Sequence, residues 1–179
     1  DAPNVTLRVV ASDVPSAEML RAQDCQLVIS PRPPDTSDIL HRRLFTDHYR
    51  VFFDASICSA PRSRKAYEAA PHVTVIYQGQ QLLDIDSWLQ AQKVSRQFVT
   101  TLSSFSGIAS FIKGTERLAT LPGLLSRGLL QGLADAPVPM KTPEMPMHAI
   151  WHIRHQHDPV HTWLRQCLLE VVKQQTTLV

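Results

Sequence analysis

The sequence predicts an α/β protein with mixed, mainly parallel sheets flanked by helices. Three observations carry that prediction. Short β-branched, apolar runs recur along the chain, most are followed by a stretch with helical spacing, and one strongly patterned helix closes the sequence. With 179 residues and 44% hydrophobic content, the chain can bury a core as one compact domain or as two small lobes sharing strands.

Val5 to Val10 is β-branched and apolar and reads as a buried strand. Pro15-Ser16 opens a short helix through Gln23, with Met19 and Leu20 on its core side. Gln26 to Ile29 is the next strand, stopped by Pro31-Arg32-Pro33-Pro34; a helical crossover between two such strands makes a parallel pair. Leu44-Phe45 and Tyr49 to Phe53 are two further extended pieces. Val73 to Ile76 is a strand, and Asp84 or Asp86 caps a helix carrying Ile85, Trp88 and Leu89. Phe98 to Leu102 leads into a helix from Ser104 to about Lys113, and Leu118 to Leu121 into a helix from Gly123 to Leu130. After the strand His148 to Ile153, Asp158 and Pro159 form an N-cap and first helical position. Val160, Trp163, Leu164, Cys167, Leu168, Val171 and Val172 then share one helical stripe.

Several function classes find no support. Net charge is +2, too small to argue for nucleic-acid or membrane binding, and no apolar run is long enough to span a bilayer. His41-Arg42-Arg43 and Arg62-Ser63-Arg64-Lys65 read as solvated surface. The three cysteines, Cys25, Cys58 and Cys167, are far apart and odd in number, which fits buried thiols in a reducing cytoplasm. Five histidines crowd residues 148 to 161, but no Cys or carboxylate recurs beside them at ligand spacing, so no metal site is assigned. There is no G-x-S-x-G elbow, phosphate loop or dinucleotide fingerprint, and the expectation is a non-enzyme without a cofactor.

One segment invites a ligand. In Leu102-Ser103-Ser104-Phe105-Ser106-Gly107 a strand ends, hydroxyls start a helix, and Gly107 permits close approach. Spacing alone favours plain N-capping by Ser103 or Ser104 over ligand binding. Tyr77-Gln78-Gly79-Gln80 is a second polar loop after a strand, and ligands of open α/β sheets lie at such strand ends.

Leu118-Ala119-Thr120-Leu121-Pro122, Ile150-Trp151-His152-Ile153-Arg154 and Asp158-Pro159-Val160-His161-Thr162-Trp163-Leu164-Arg165 resemble the regulatory domain of LysR-type transcriptional regulators. His41-Arg42-Arg43-Leu44-Phe45 and Pro71-His72-Val73 fit as well, and the resemblance is to the branch that senses aromatic compounds. It implies a two-lobed fold of the type-II periplasmic-binding-protein kind, lobe one from residues 1–55 and 146–179 and lobe two from 56–145. A small organic effector, aromatic or anionic, would sit in the cleft and switch a DNA-bound oligomer. DNA contact would belong to an N-terminal winged helix-turn-helix outside this chain. A solute-binding protein of a transport system shares the fold and is the alternative.

By position, the resemblance assigns effector contacts to Ser103, Ser104, Phe105, His72, Tyr77, Gln78 and Gly79, and to Ser12 and Asp13 in the first lobe. It turns the reading of Ser104 from cap to ligand contact. It also implies a homodimer or higher homo-oligomer, with the Val5 strand and Ser16 helix meeting the Gly123–Leu130 helix of a second copy. Finally, it implies a strand and helix ahead of Asp1, with that strand lying between Val5–Val10 and Gln26–Ile29.

Overall fold

The computed structural model describes residues 4–10, 15–77 and 81–176. Ser12, Asp13, Gln78 and Gly79 lie outside the described residues. The chain divides into two compact units, residues 1–44 with 147–179, and residues 45–146.

In the first unit, helix α1 (Ala17–Arg21) is capped by Ser16, whose side chain accepts from the Met19 N–H at 3.1 Å. Strand β1 (Val28–Ser30) pairs antiparallel with β9 (Met145–His152), which also neighbours β2 (Ile39–Asp47). Leu20, Val28, Ile39 and Ile150 form the core, with Ala17, Met19 and Cys25 packed against it. Helix α5 (Pro159–Thr176) starts where the Asp158 carboxylate accepts from the His161 N–H at 2.8 Å. Its apolar stripe is only partly covered: Val160, Trp163 and Val171 are exposed by 53%, 40% and 54%.

The Val5–Val10 segment departs from expectation. It forms no strand, and Val5, Leu7, Val9 and Val10 are exposed. Among the described residues β1 has one strand neighbour, β9, so the segment joins no ladder, and β-propensity without a partner strand does not hold an extended chain in place. The expected parallel pair with Gln26–Ile29 is therefore not formed.

The second unit holds β3 (Tyr49–Phe53), flanked antiparallel by β7 (Ala119–Pro122) and β8 (Ala134–Pro137). Beside it stands a sheet of β5 (Gln81–Leu82), β4 (Pro71–Tyr77) and β6 (Gln97–Leu102). Helix α3 (Asp84–Ala91) connects β5 to β6, and β4 and β6 run parallel, as a helical crossover between strands dictates. Val51, Phe52, Ile85, Leu89, Ile108, Ile112 and Leu121 are fully buried in its core, each such side chain contributing about 1.5–3 kcal/mol. Helix α2 (Arg64–Ala69), capped by Ser63, occupies the basic run read from sequence as plain surface; its Tyr67 is fully buried and bonds Thr120 across 2.5 Å.

Two further expectations fail locally. The N-cap residue of α3 is Leu83 rather than Asp84 or Asp86, and Asp86 turns inward while its carboxylate takes the Leu83 backbone N–H from the first turn. The Gly123–Leu130 helix is a short 3₁₀ segment, Gly123–Arg127, followed by turns. The Asp47 carboxylate accepts the N–H groups of His48 and Leu124, and Gly123 donates to the His48 carbonyl at 2.8 Å. That anchorage draws residue 123 so close that a Cβ there would lie 2.9 Å from Arg50 Cγ and 3.0 Å from the His48 oxygen.

Candidate functional site

The parallel register of β4 and β6 sets Thr74 opposite Thr101 and Val75 opposite Leu102. Both strands therefore finish at one sheet edge, which carries half-buried Tyr77 from β4 and Ser103, Ser104 and Phe105 after β6. At Phe105–Gly107 the chain turns through one 3₁₀ turn into helix α4 (Ile108–Ile112). The alternation of Phe98, Thr100 and Leu102 with exposed residues keeps β6 half-buried, and Ile108 and Ile112 root α4 in the core.

Ser104 is the N-cap of that turn, with its backbone extended at φ −152°, ψ 147°. Its Oγ accepts from the Ser106 N–H at 3.3 Å and shares a hydroxyl–hydroxyl bond with Ser106 Oγ at 2.9 Å. A hydroxyl offers one donor and two acceptor sites, so one remains open on exposed Ser104. The capping and ligand readings of this residue are thus compatible. Phe105 and Tyr77, both half-buried, supply apolar surface at these neighbouring strand ends. Gly107 is less special than its sequence suggests, since a Cβ there would meet only Leu102 Cδ1 at 3.5 Å.

His72 lies elsewhere. It is five residues before Tyr77 on an extended strand, roughly 17 Å away at strand rise, and 1% exposed. Its Nε2 lies 2.8 Å from the Tyr67 carbonyl, so it carries the ring proton, and the ring packs edge-on against Tyr67 and Phe98. Burial depresses its pKa to about 4, with the nearby Arg96 charge acting in the same direction and the Tyr67 carbonyl opposing both.

The sequence did not reveal the group that ties the site's supports together. Asp86, 1% exposed, accepts from Thr74 Oγ1 at 2.6 Å and from Arg96 Nη1 at 2.7 Å, joining β4, α3 and the lead into β6. The Arg96 guanidinium stacks 4.7 Å over the Phe98 ring. Burial pushes the Asp86 carboxyl above its ordinary range against the pull of Arg96 and the Thr74 hydroxyl.

Within the histidine-rich stretch, His152, His155 and His161 are held by structural contacts. His152 Nδ1 accepts from the N–H and Nε of Arg154, leaving its Nε2 toward Asp38 at 3.3 Å; His161 Nε2 meets the Gln26 carbonyl at 3.0 Å, and its ring stacks on His155 at 5.0 Å. Among the described residues no group of three or more histidine, cysteine or acidic side chains is placed to hold a metal ion. Cys25, Cys58 and Cys167 are free thiols, half-buried rather than enclosed. No helix of the described chain is long and apolar enough to cross a membrane.

Residues 1–173 match the family described as LysR substrate binding domain. The chain is similar to the HTH-type transcriptional activator NagR of Ralstonia sp, with 26% identity over 93% of this chain and 56% of that protein. NahR of Pseudomonas putida, another HTH-type transcriptional activator, is 24% identical over 95% of this chain and 58% of its own length. The chain thus spans little more than half the length of these relatives. A probable transcriptional regulator, PA0477 of Pseudomonas aeruginosa, superposes with a TM-score of 0.78 at 26% identity, covering 93% of this chain and 57% of that one. The regulatory domain of the activator MexT, from the same organism, shares the fold at a TM-score of 0.71 and 19% identity over 87% of this chain and 76% of its own. The fold is the α/β type-II periplasmic-binding-protein kind, and the chain belongs to the LysR substrate-binding-domain family.

Proposed function

We propose that this domain senses a small organic effector, aromatic or anionic, at the sheet edge formed by Tyr77 and Ser103–Phe105. One observation carries the reading: the parallel β4–β6 register ends two neighbouring strands at the same place, where ligands of open α/β sheets bind. Exposed hydroxyls of Ser103 and Ser104 suit a carboxylate or hydroxyl. Phe105 and Tyr77 suit an apolar body, and Gln78 and Gly79 follow Tyr77 in sequence.

Ligand binding then shifts a conformational equilibrium in a longer, cytoplasmic regulator that pairs with itself and reads DNA through a helix-turn-helix outside these residues. The relatives' names as HTH-type activators, and their greater length, support the helix-turn-helix in this reading.

The test is a thermal-shift screen of small aromatic acids and their neutral analogues, followed by NMR titration of the best compound. A stabilising compound that perturbs the signals of residues 103–105 is expected, because native-state binding raises stability by mass action. A broad library giving no shift, or a binder leaving those signals unmoved, overturns the assignment.

A further inference from the structure

The first unit contains a cavity of about 310 Å³ between β2, β9 and α5, remote in sequence from the strand-end site. That volume is at the small end of the roughly 300–1,000 Å³ typical of small-molecule pockets, room for one small organic acid. Two arginines line it, Arg42 from β2 and Arg165 from α5, together with the amides of Gln156 and Gln166; Trp151 and Leu169 are its apolar walls. No acidic side chain lines it.

Its hydrogen-bonding capacity is biased toward donors. The Trp151 indole N–H donates to Gln156 Oε1 at 3.1 Å, and an indole can only donate, so the Gln156 amide is oriented with its NH₂ left to give. Arg165 holds five N–H donors. Nη1 gives to the His155 carbonyl and to His161 Nδ1, and Nη2 gives to the Gln156 carbonyl and to Thr162 Oγ1. The Nε–H is the donor left over. All four acceptors are neutral, so the positive charge meets no carboxylate through a hydrogen bond, and the nearest acid acting on it, Asp158, is committed to the His161 N–H. Burial accordingly lowers the Arg165 pKa from its ordinary value, with Asp158 opposing. The guanidinium is held in place by lying 4.6 Å from the Trp151 ring centroid. Exposed Arg42 adds a second cation with no ion pair among the described residues.

We propose that this cavity is a second ligand site, binding one small organic monoanion whose carboxylate bridges Arg42 and the Arg165 Nε–H and whose carbon skeleton lies along Trp151 and Leu169. Two fixed or nearby cations, a donor amide and an apolar wall together recognise that chemistry, since charge-assisted bonds to arginine are stronger than neutral ones. The inference does not rest on the strand-end site, whose residues belong to the other unit.

The experiment is an NMR titration of the protein with benzoate, with benzamide as the neutral isostere at matched ionic strength. Saturable shifts of the Trp151 indole and Arg165 Nε–H signals by benzoate, with benzamide silent, are expected. Arg42→Ala, at an exposed position without ion-pair partners, is expected to weaken that response about tenfold or more while leaving the melting temperature unchanged. Shifts at residues 103–105 are read separately, so failure of either site is distinguishable. No saturable shift at Trp151 and Arg165, an equal response to benzamide, or an undiminished response in Arg42→Ala overturns the proposal.

Discussion

Asp86 and Arg96 meet at 2.7 Å with side-chain exposures of only 1% and 4%. They make a charged pair inside the unit that carries the strand-end site, and Thr74 fills the second carboxylate oxygen. Desolvating two charges is costly, and the pair is tolerable only because each partner neutralises the other. Removing one alone strands a buried charge. Arg96→Met is therefore expected to lower stability by about 3–5 kcal/mol, whereas Asp86→Leu with Arg96→Met costs clearly less than the single change. Urea unfolding of the three proteins decides it; a double variant at least as unstable as the single would show that hydrogen bonding, rather than charge burial, governs this triad.

The two glycines near the chain reversals differ in what they tolerate. Gly123→Ala places a methyl 2.9 Å from Arg50 Cγ and 3.0 Å from a backbone oxygen that cannot swing away, and should cost about 1–3 kcal/mol. Gly107→Ala meets ordinary contact at 3.5 Å and should be neutral or slightly stabilising. Thermal melts of the pair test the contrast, and equal losses would mean that the anchorage of residue 123 by Asp47 and His48 yields more easily than its geometry implies.

Much of this architecture is legible in the sequence because the signals are local. Ser16, Asp158 and Pro159 announce helix starts, and the apolar runs at 73–76, 98–102 and 148–152 all become strands. Tyr77 and Ser104 are placed together by one parallel crossover, which alternation alone foretells. What stays hidden depends on partners distant in sequence. Asp86 looks like a helix-start acid until Arg96 and Thr74 are seen around it, and Gly123 looks like the opening of a helix until Asp47 caps its neighbour. Val5–Val10 misleads for the opposite reason: its pattern is that of a strand, but a strand requires a ladder as well as a propensity. The lone histidine at 72 carries no local sign that Tyr67, behind it on α2, will enclose it.

Ser104→Ala separates the cap from the ligand contact. Loss of an exposed cap costs about 1 kcal/mol of stability, while a charge-assisted hydrogen bond to an effector is worth about 1.5–3 kcal/mol. The variant is expected to melt only slightly lower and to bind the effector roughly tenfold more weakly by calorimetry. Unchanged affinity would leave Ser104 as a cap alone.

Acid sensitivity should appear before the carboxylates titrate. His72 is held neutral in the folded chain with its pKa near 4, against an ordinary value of 6.5, chiefly because burial penalises the imidazolium. Between those values the unfolded chain takes up a proton that the folded chain refuses, so stability rises with pH across the window. The contribution is fully present above 6.5 and is lost as pH falls toward 4, by up to about 3 kcal/mol at 1.36 kcal/mol per unit. His155 is shifted in the same direction, also by burial first, and adds to the slope. Asp38, Asp54, Glu68 and Asp158 are all lowered by hydrogen bonds, so their losses begin only around and below the ordinary carboxylate range. Comparing urea midpoints near pH 7.5 and pH 5.5, above that range, therefore weights the histidines, with Asp86 acting in the opposite sense because burial raises its carboxyl. His72→Gln keeps an N–H for the Tyr67 carbonyl but cannot titrate; it should start less stable at the higher pH and lose distinctly less on acidification. A variant whose loss equals that of the parent would place the acid sensitivity at His155 or elsewhere, not at His72.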